Sequence, residues 1–341
     1  MTKRLWILGA ADPEMNEIEN LLRATGEAFA YALDASGERV SPATAYKAVK
    51  TSAEAPADAT VYLVECEVDG LTNEVVVRID HHRPGDPGYG QDPREFLAAS
   101  SVGQVLRALA RLGAIPSSWR RMAAGYAAPL TPQYAADGSP VDYTGVFWLR
   151  VGRGGKDVWD IVLDAHTFAR VPSELVLAAA ADHCLAAAYR GECPGVDPDA
   201  LMRWRAETRA AYQKRSVADV LADVEKAREA LRGAPLVELR GAFACDYHAF
   251  GFEPGCGDCT PALASCDLRG RTIPELPEAA AREGVAYLAT VADRDGRKKI
   301  VLGGHTTPET VKAFIESWAP AQGLTGIYGD PARGFAGGYL P

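Results

Sequence analysis

Histidine is scarce in this chain, six among 341 residues, and methionine scarcer still, at four. Positive charge is also in deficit: 36 lysines and arginines face 45 aspartates and glutamates, a net charge of −9. No long basic run occurs. Tight binding to long duplex nucleic acid is therefore not expected, since its affinity comes largely from cationic contacts to phosphates. Small anions stay open as ligands, because a bound cation reverses the sign of a site locally. Long apolar runs are lacking too. The nearest approach to a membrane span, "LVLAAAADHCLAAAY", is interrupted by Asp182 and His183, so neither a transmembrane helix nor a membrane partner is expected. The opening "MTKRLWILGAADPEM" has a short apolar run followed by acids, without a small-residue cleavage site. It reads as a first strand rather than a signal peptide, and the expected location is cytoplasmic. There is no internal repeat, no low-complexity tract and no phosphate-loop pattern. Arg153-Gly154-Gly155-Lys156 reads as a hairpin turn. The odd count of seven cysteines argues against a disulfide framework.

What remains is ordinary globular composition, 48% apolar and 24% charged, at a length that suggests two domains. Short apolar runs at 4–8, 29–33, 61–64 and 75–79 alternate with helical patterns. That alternation predicts a parallel sheet. The expected class is α/β: a parallel-sheet N-terminal domain over 1–195 with a β-hairpin insertion at about 137–170, a helical connector over 196–233, and a smaller α/β C-terminal domain over 234–341.

Ligands of parallel sheets bind beyond the carboxyl ends of the strands. Glu14, Glu65 and the triplet Asp80-His81-His82 all fall just after predicted strands. Asp182 lies in a helix of nearly continuous alanine, where burying an acid is costly unless it is paired or ligates a cation. A hydrolytic metal centre needs this mixture: carboxylates neutralise the cations, neutral imidazoles complete the ligand set, and a paired site spaces its metals roughly 3.5–4 Å apart.

The strand ending "VVVRIDHH" resembles the name motif of the DHH phosphoesterase superfamily. The segment "FLAASSVGQVLRALARLG" at 96–113 is similar to the serine-bearing helix that follows it there, and Asp182 stands where that family has its later metal-binding aspartate. The family's first motif reads His-x-Asn-Pro-Asp-x-Asp. Anchored on Pro13, Ala10 stands at its histidine, with Glu14 and Asn16 at its aspartates; in a shifted register Asp12 and Glu14 take those places. Glu65 stands at the aspartate of the second motif.

The resemblance implies a divalent cation, manganese or else magnesium or cobalt, held by Asp80, His81 and Asp182 with Glu65 and Glu14 supporting. It implies a catalytic role for Asp80 and a phosphate contact for His82. It also implies a C-terminal domain whose glycine-rich loop holds substrate in a cleft. Two stretches suit that loop, Gly303-Gly304-His305 and Arg333 to Gly338. Arg333, Gly334, Gly337 and Gly338 are favoured, with His305 as a further contact. The implied activity is hydrolysis of a phosphoester or phosphodiester in a nucleotide, dinucleotide or short oligonucleotide. The alternative is a nucleotide-binding or regulatory protein that has lost hydrolysis. A homo-oligomer stays open. Separately, Cys245-x2-His248 and Cys256-x2-Cys259 have the spacing of a structural zinc site.

Overall fold

Strand β1 (Arg4–Leu8) is a continuous apolar run with near-complete burial, the pattern of a strand covered on both faces. A computed structural model describes residues 3–42, 44–122, 135, 139–151, 157–239, 263–293, 296–331 and 334–341 of the chain. In it, β1 lies at the centre of a five-stranded sheet with β2 (Phe29–Leu33), β3 (Lys50–Thr51), β4 (Thr60–Val64) and β5 (Val76–Ile79), in the order β3-β2-β1-β4-β5. All neighbours are parallel except β2 and β3. The chain moves outward from β1 first to β2 and later to β4, on the other side. The carboxyl ends of β1 and β4 therefore flank a topological switch point, where such sheets bind ligands.

Helix α1 (Pro13–Thr25) links β1 to β2. Asp12 caps it by accepting the Met15 amide, Pro13 begins it, and Gly26 ends it in the left-handed region at φ 70°. Its buried residues include Met15, Ile18, Leu21 and Leu22. After β5 come α2 (Phe96–Ala99) and α3 (Ser101–Arg111), the latter capped by Ser100 and burying Val102, Val105, Leu106 and Leu109. Alternate residues of β1 serve opposite faces: Leu5 and Ile7 join Ala30, Val61 and Leu63 in one core cluster.

The hairpin expected at 137–170 is part of a larger antiparallel sheet. β6 (Arg120–Met122), β7 (Phe147–Val151), β8 (Asp157–Val162) and β9 (Thr167–Arg170) pair in the order β6-β9-β8-β7. The turn at Arg153 to Lys156 lies outside the described residues. Helix α4 (Ser173–Tyr189) follows, interrupted at Cys184 with φ −154° and ψ 49°.

The chain divides into two compact units, 1–183 with 193–197, and 184–192 with 198–341. The second contains α5 (Pro198–Gln213), α6 (Val217–Arg232), β10 (Leu236–Leu239), β11 (Leu263–Leu268), α7 (Leu276–Glu283), β12 (Ala286–Ala292), β13 (Lys298–Gly304), α8 (Pro308–Ala313), α9 (Ala319–Ala321), β14 (Thr325–Asp330) and β15 (Phe335–Tyr339). Its sheet runs β10-β11-β12-β13-β15-β14. On one face Leu288, Ile300 and Leu302 pack with Phe314 and Trp318. On the other, Tyr287 and Leu268 pack with α7 and with Val224, Ala227 and Leu231 of α6. Helix α6, expected as part of a connector, thus contributes to the core of this unit.

Candidate metal centre

Three strand ends and one helix deliver the acidic and imidazole groups of the first unit. Beyond β1, Glu14 is buried on the first turn of α1. Its Oε1 accepts the Val102 amide at 2.9 Å, which ties α1 to the start of α3, while its Oε2 is buried without a hydrogen-bond partner. Ala10 is buried and offers no ligand atom. Asn16 is exposed, whereas Asp12 is within electrostatic reach of Asp182. Asp12 and Glu14, the pair of the shifted register, both feel the Asp182 charge.

Glu65 follows β4 directly and takes a left-handed φ of 52°, a conformation that costs a non-glycine residue roughly 1–2 kcal/mol. Such strain is held only where surroundings impose it. Here Glu65 donates its amide to the Ile79 carbonyl at 2.9 Å, and its buried Oε1 has no hydrogen-bond partner.

His81 is fully buried. Its Nε2 lies 2.8 Å from Asp182 Oδ2 and 3.9 Å from Glu65 Oε1. Gly88 packs behind it: a Cβ there would sit 2.8 Å from His81 Cβ and 1.9 Å from the Ala99 carbonyl oxygen. His82, with 30% of its side chain exposed, places Nδ1 4.0 Å from Glu65 Oε1. Glu65, His81, His82 and Asp182 each offer a ligand atom, and these atoms all lie within 4.8 Å of one another. This group is able to hold a metal ion.

Asp80 stands beside the group without belonging to it. Its Oδ1 accepts the amides of His81 at 2.7 Å and His82 at 3.0 Å and lies 2.9 Å from His82 Nδ1. Its Oδ2 accepts the Tyr46 hydroxyl at 2.9 Å. The Asp80 main chain is held in turn by Gln104 of α3, whose Nε2 donates to the Asp80 carbonyl at 3.0 Å. His183, buried one residue after Asp182, sets its ring centroid 5.2 Å from that of His81.

Burial and mutual repulsion govern the charges. Burial, then the Asp182 charge, pushes Glu65 up to about 8. The same two causes raise Glu14 well above the usual carboxylate range and Asp12 to about 6. Burial also acts to raise Asp80, but the hydrogen bonds from His82 and Tyr46 outweigh it and hold the carboxyl below its ordinary value. Carboxylates that destabilise one another in this way are relieved by a proton or by a bound cation. The donors are oxygen and imidazole nitrogen without thiolate, a set suited to a borderline rather than a soft divalent cation.

In the second unit the two glycine-bearing stretches are neighbours. Gly303 and Gly304 end β13, Gly337 and Gly338 lie within β15, and the strands pair with Val301 opposite Gly337. Gly337 and Gly338 are strand residues there, not loop residues. A Cβ on Gly337 would meet the Tyr328 hydroxyl at 2.4 Å, and one on Gly338 would meet Leu324 Cβ at 3.1 Å. The Thr306 hydroxyl donates to the Gly334 carbonyl at 2.6 Å, joining the ends of the stretches. Beside them, burial and then Arg190 hold His305 below its ordinary pKa. Arg333, Cys245, His248, Cys256 and Cys259 lie outside the described residues.

Sequence reading missed Tyr46 and Gln104. Neither sits next to a motif, and only the folded strand ends bring them to Asp80. Within the serine-bearing segment 96–113, Ser100 caps α3. No protein family, curated protein or solved structure matches the chain. Among the described residues no helix is long and apolar enough to cross a membrane.

Proposed function

We propose that the chain is a metal-dependent phosphoesterase with a DHH-like first unit, acting on a nucleotide, dinucleotide or short oligonucleotide. The observation that carries the reading is the convergence of Glu65, His81, His82 and Asp182 within 4.8 Å, beside a buried Glu65 oxygen that lacks a hydrogen-bond partner. The donor set fits a divalent cation, with manganese favoured by the resemblance. Such an ion, when bound, acidifies water and withdraws charge from a phosphoryl oxygen.

The chain's own residues divide the remaining work. His81, Glu65 and Asp182 would hold the ion; complete burial of the His81 side chain suits a ligand and excludes a substrate contact. His82, the partly exposed imidazole of the group, would lend the ion a further ligand and face the phosphate, stabilising charge that develops there. Asp80 would act by orienting His82. Glu14 would support the acidic group while bracing α3. His305, Arg333 and Gly334 would hold substrate; Gly337 and Gly338, buried within β15, would not.

Hydrolysis of a panel of nucleoside phosphodiesters and short oligonucleotides with manganese, magnesium or cobalt tests this directly. Turnover abolished by chelation and restored by one of these ions is expected. Absence of turnover with every ion overturns it. In either register a buried apolar residue, Ala10 or Leu8, stands at the ligating histidine of the resembled motif, which favours a second reading, a nucleotide-binding protein without hydrolysis. Retained nucleotide binding without turnover would select that reading.

A further inference from the structure

We infer that Tyr46 is a positioning residue for His82, acting through the carboxylate of Asp80. It rests on reading the cluster as a metal and phosphate site, and it concerns how one imidazole of that site is aimed. Tyr46 lies on the short 3₁₀ turn Ala45–Lys47, 34 residues before Asp80. Its hydroxyl donates to Asp80 Oδ2 at 2.9 Å. The other oxygen of the same carboxylate takes the main-chain amides of His81 and His82 and faces His82 Nδ1 at 2.9 Å.

An ionised carboxylate only accepts, so the ring nitrogen that faces it carries the proton. Nδ1 of His82 is then the donor, and Nε2 keeps the lone pair available to a metal or a substrate proton. The arrangement works only with one carboxylate oxygen turned to the histidines, because the three donors converge on Oδ1. Among the described residues Tyr46 supplies the donor on Oδ2 and so opposes rotation about the carboxylate bond. Its own ring is held: the Arg83 guanidinium lies 3.6 Å over its centroid, and Arg83 is fixed by a 2.6 Å bond to Glu67. Tyrosine and arginine thus form an outer layer, aspartate a middle one, and His82 the working group. Outer partners of ligating histidines fix tautomer and orientation in this manner.

The test uses the full-length chain with ¹⁵N-labelled histidine, freed of metal by chelation, at one fixed pH. Long-range ¹H–¹⁵N correlations should show His82 protonated at Nδ1. In Tyr46→Phe both tautomers should appear, and the Kd for Mn²⁺ should rise about tenfold. In the Asp80→Asn background, where no carboxylate remains to be held, Tyr46→Phe should add no further change. A Tyr46→Phe protein whose His82 stays wholly Nδ1-protonated overturns the inference, even if its stability falls, since lost stability alone is what a packing role would give. If Tyr46→Phe does not fold, the wild-type spectrum still decides: a His82 protonated at Nε2 overturns it. A wild-type chain that binds no Mn²⁺ would defeat the metal reading and leave the tautomer result standing on its own.

Discussion

Gly9 and Glu65 pass so closely that a Cβ on Gly9 would lie 2.4 Å from the Glu65 carbonyl oxygen. The contact joins the ends of β1 and β4 at the residue that carries the left-handed φ of 52°. Gly9→Ala must push the Glu65 backbone aside. The expected result is a loss of about 1–3 kcal/mol in stability, the usual cost of overpacking, together with weaker Mn²⁺ binding because a ligand moves. Denaturant unfolding and Mn²⁺ titration of the variant measure both. Wild-type values in the two experiments would show that the close approach does not position Glu65.

Glu65→Gln separates stability from metal binding. Without metal, a neutral amide removes an acid whose charged form burial and Asp182 oppose, so the chelated variant at pH 8 should be at least as stable as wild type. With metal, it loses an anionic donor, and Mn²⁺ affinity should fall by more than about tenfold. Melting temperatures with and without Mn²⁺ read the two effects together. The wild type should gain more from the ion, since a ligand stabilises in proportion to its binding. Equal gains in both proteins would remove Glu65 from the ligand set.

The strand ends were legible in the sequence because buried parallel strands are written as uninterrupted apolar runs. The buried "RLWIL" announces where the chain leaves the sheet. The run ending at Ile79 does so as an edge strand, with Val75 and Val76 exposed and Arg78 within it, through its β-branched residues. The polar residues that follow are then placed at the sheet's carboxyl edge. Asp182 was legible for the opposite reason, as an acid in an alanine-rich helix. The division of labour inside Asp80-His81-His82 was not legible. The resemblance implies Asp80 as a ligand; in the fold the chain turns after β5 so that two following amides meet its Oδ1. Tyr46 was invisible because its partner is remote in sequence. The four-stranded antiparallel sheet was read only as a hairpin, since β6 is three residues long and finds β9 across a separation of more than 40 residues, beyond the reach of local patterning.

Asp182→Asn and Asp80→Asn should differ in degree. Asp182 offers an oxygen to the cluster itself, so its amide variant should lose Mn²⁺ binding by more than the roughly 10–100-fold typical of an outer partner. Asp80 acts on His82 from outside the group, and Asp80→Asn should fall within that range with the fold intact. Turnover should fall in both. Calorimetric titration with Mn²⁺ ranks them. The reverse order, with Asp80→Asn the weaker binder, would return Asp80 to the ligand set.

Stability of the metal-free chain should decline as pH rises. The folded Glu65 carboxyl is pushed up to about 8, from 4.5 in the unfolded chain, and Glu14 is raised in the same sense. Between those values the folded state holds protons that the unfolded state has released. Their stabilising effect is therefore complete below about pH 4.5 and is lost progressively up to about pH 8, at a slope approaching ~1.4 kcal/mol per pH unit for each proton. Asp80 works in the other direction: its lowered pKa contributes stability above the ordinary aspartate value, lost only as pH falls through the acid range. The windows do not overlap, so urea unfolding of chelated protein at pH 5, 6.5 and 8 reads the raised groups. Subtracting the same series for Glu65→Gln reads Glu65 together with the part of the Glu14 shift that its charge causes. The wild type should lose ground to the variant at each step, and Mn²⁺ added at pH 8 should reverse that loss, because a cation replaces the proton as the partner of the buried charge. Parallel stability curves for the two proteins would show that Glu65 does not carry a raised pKa in the folded chain.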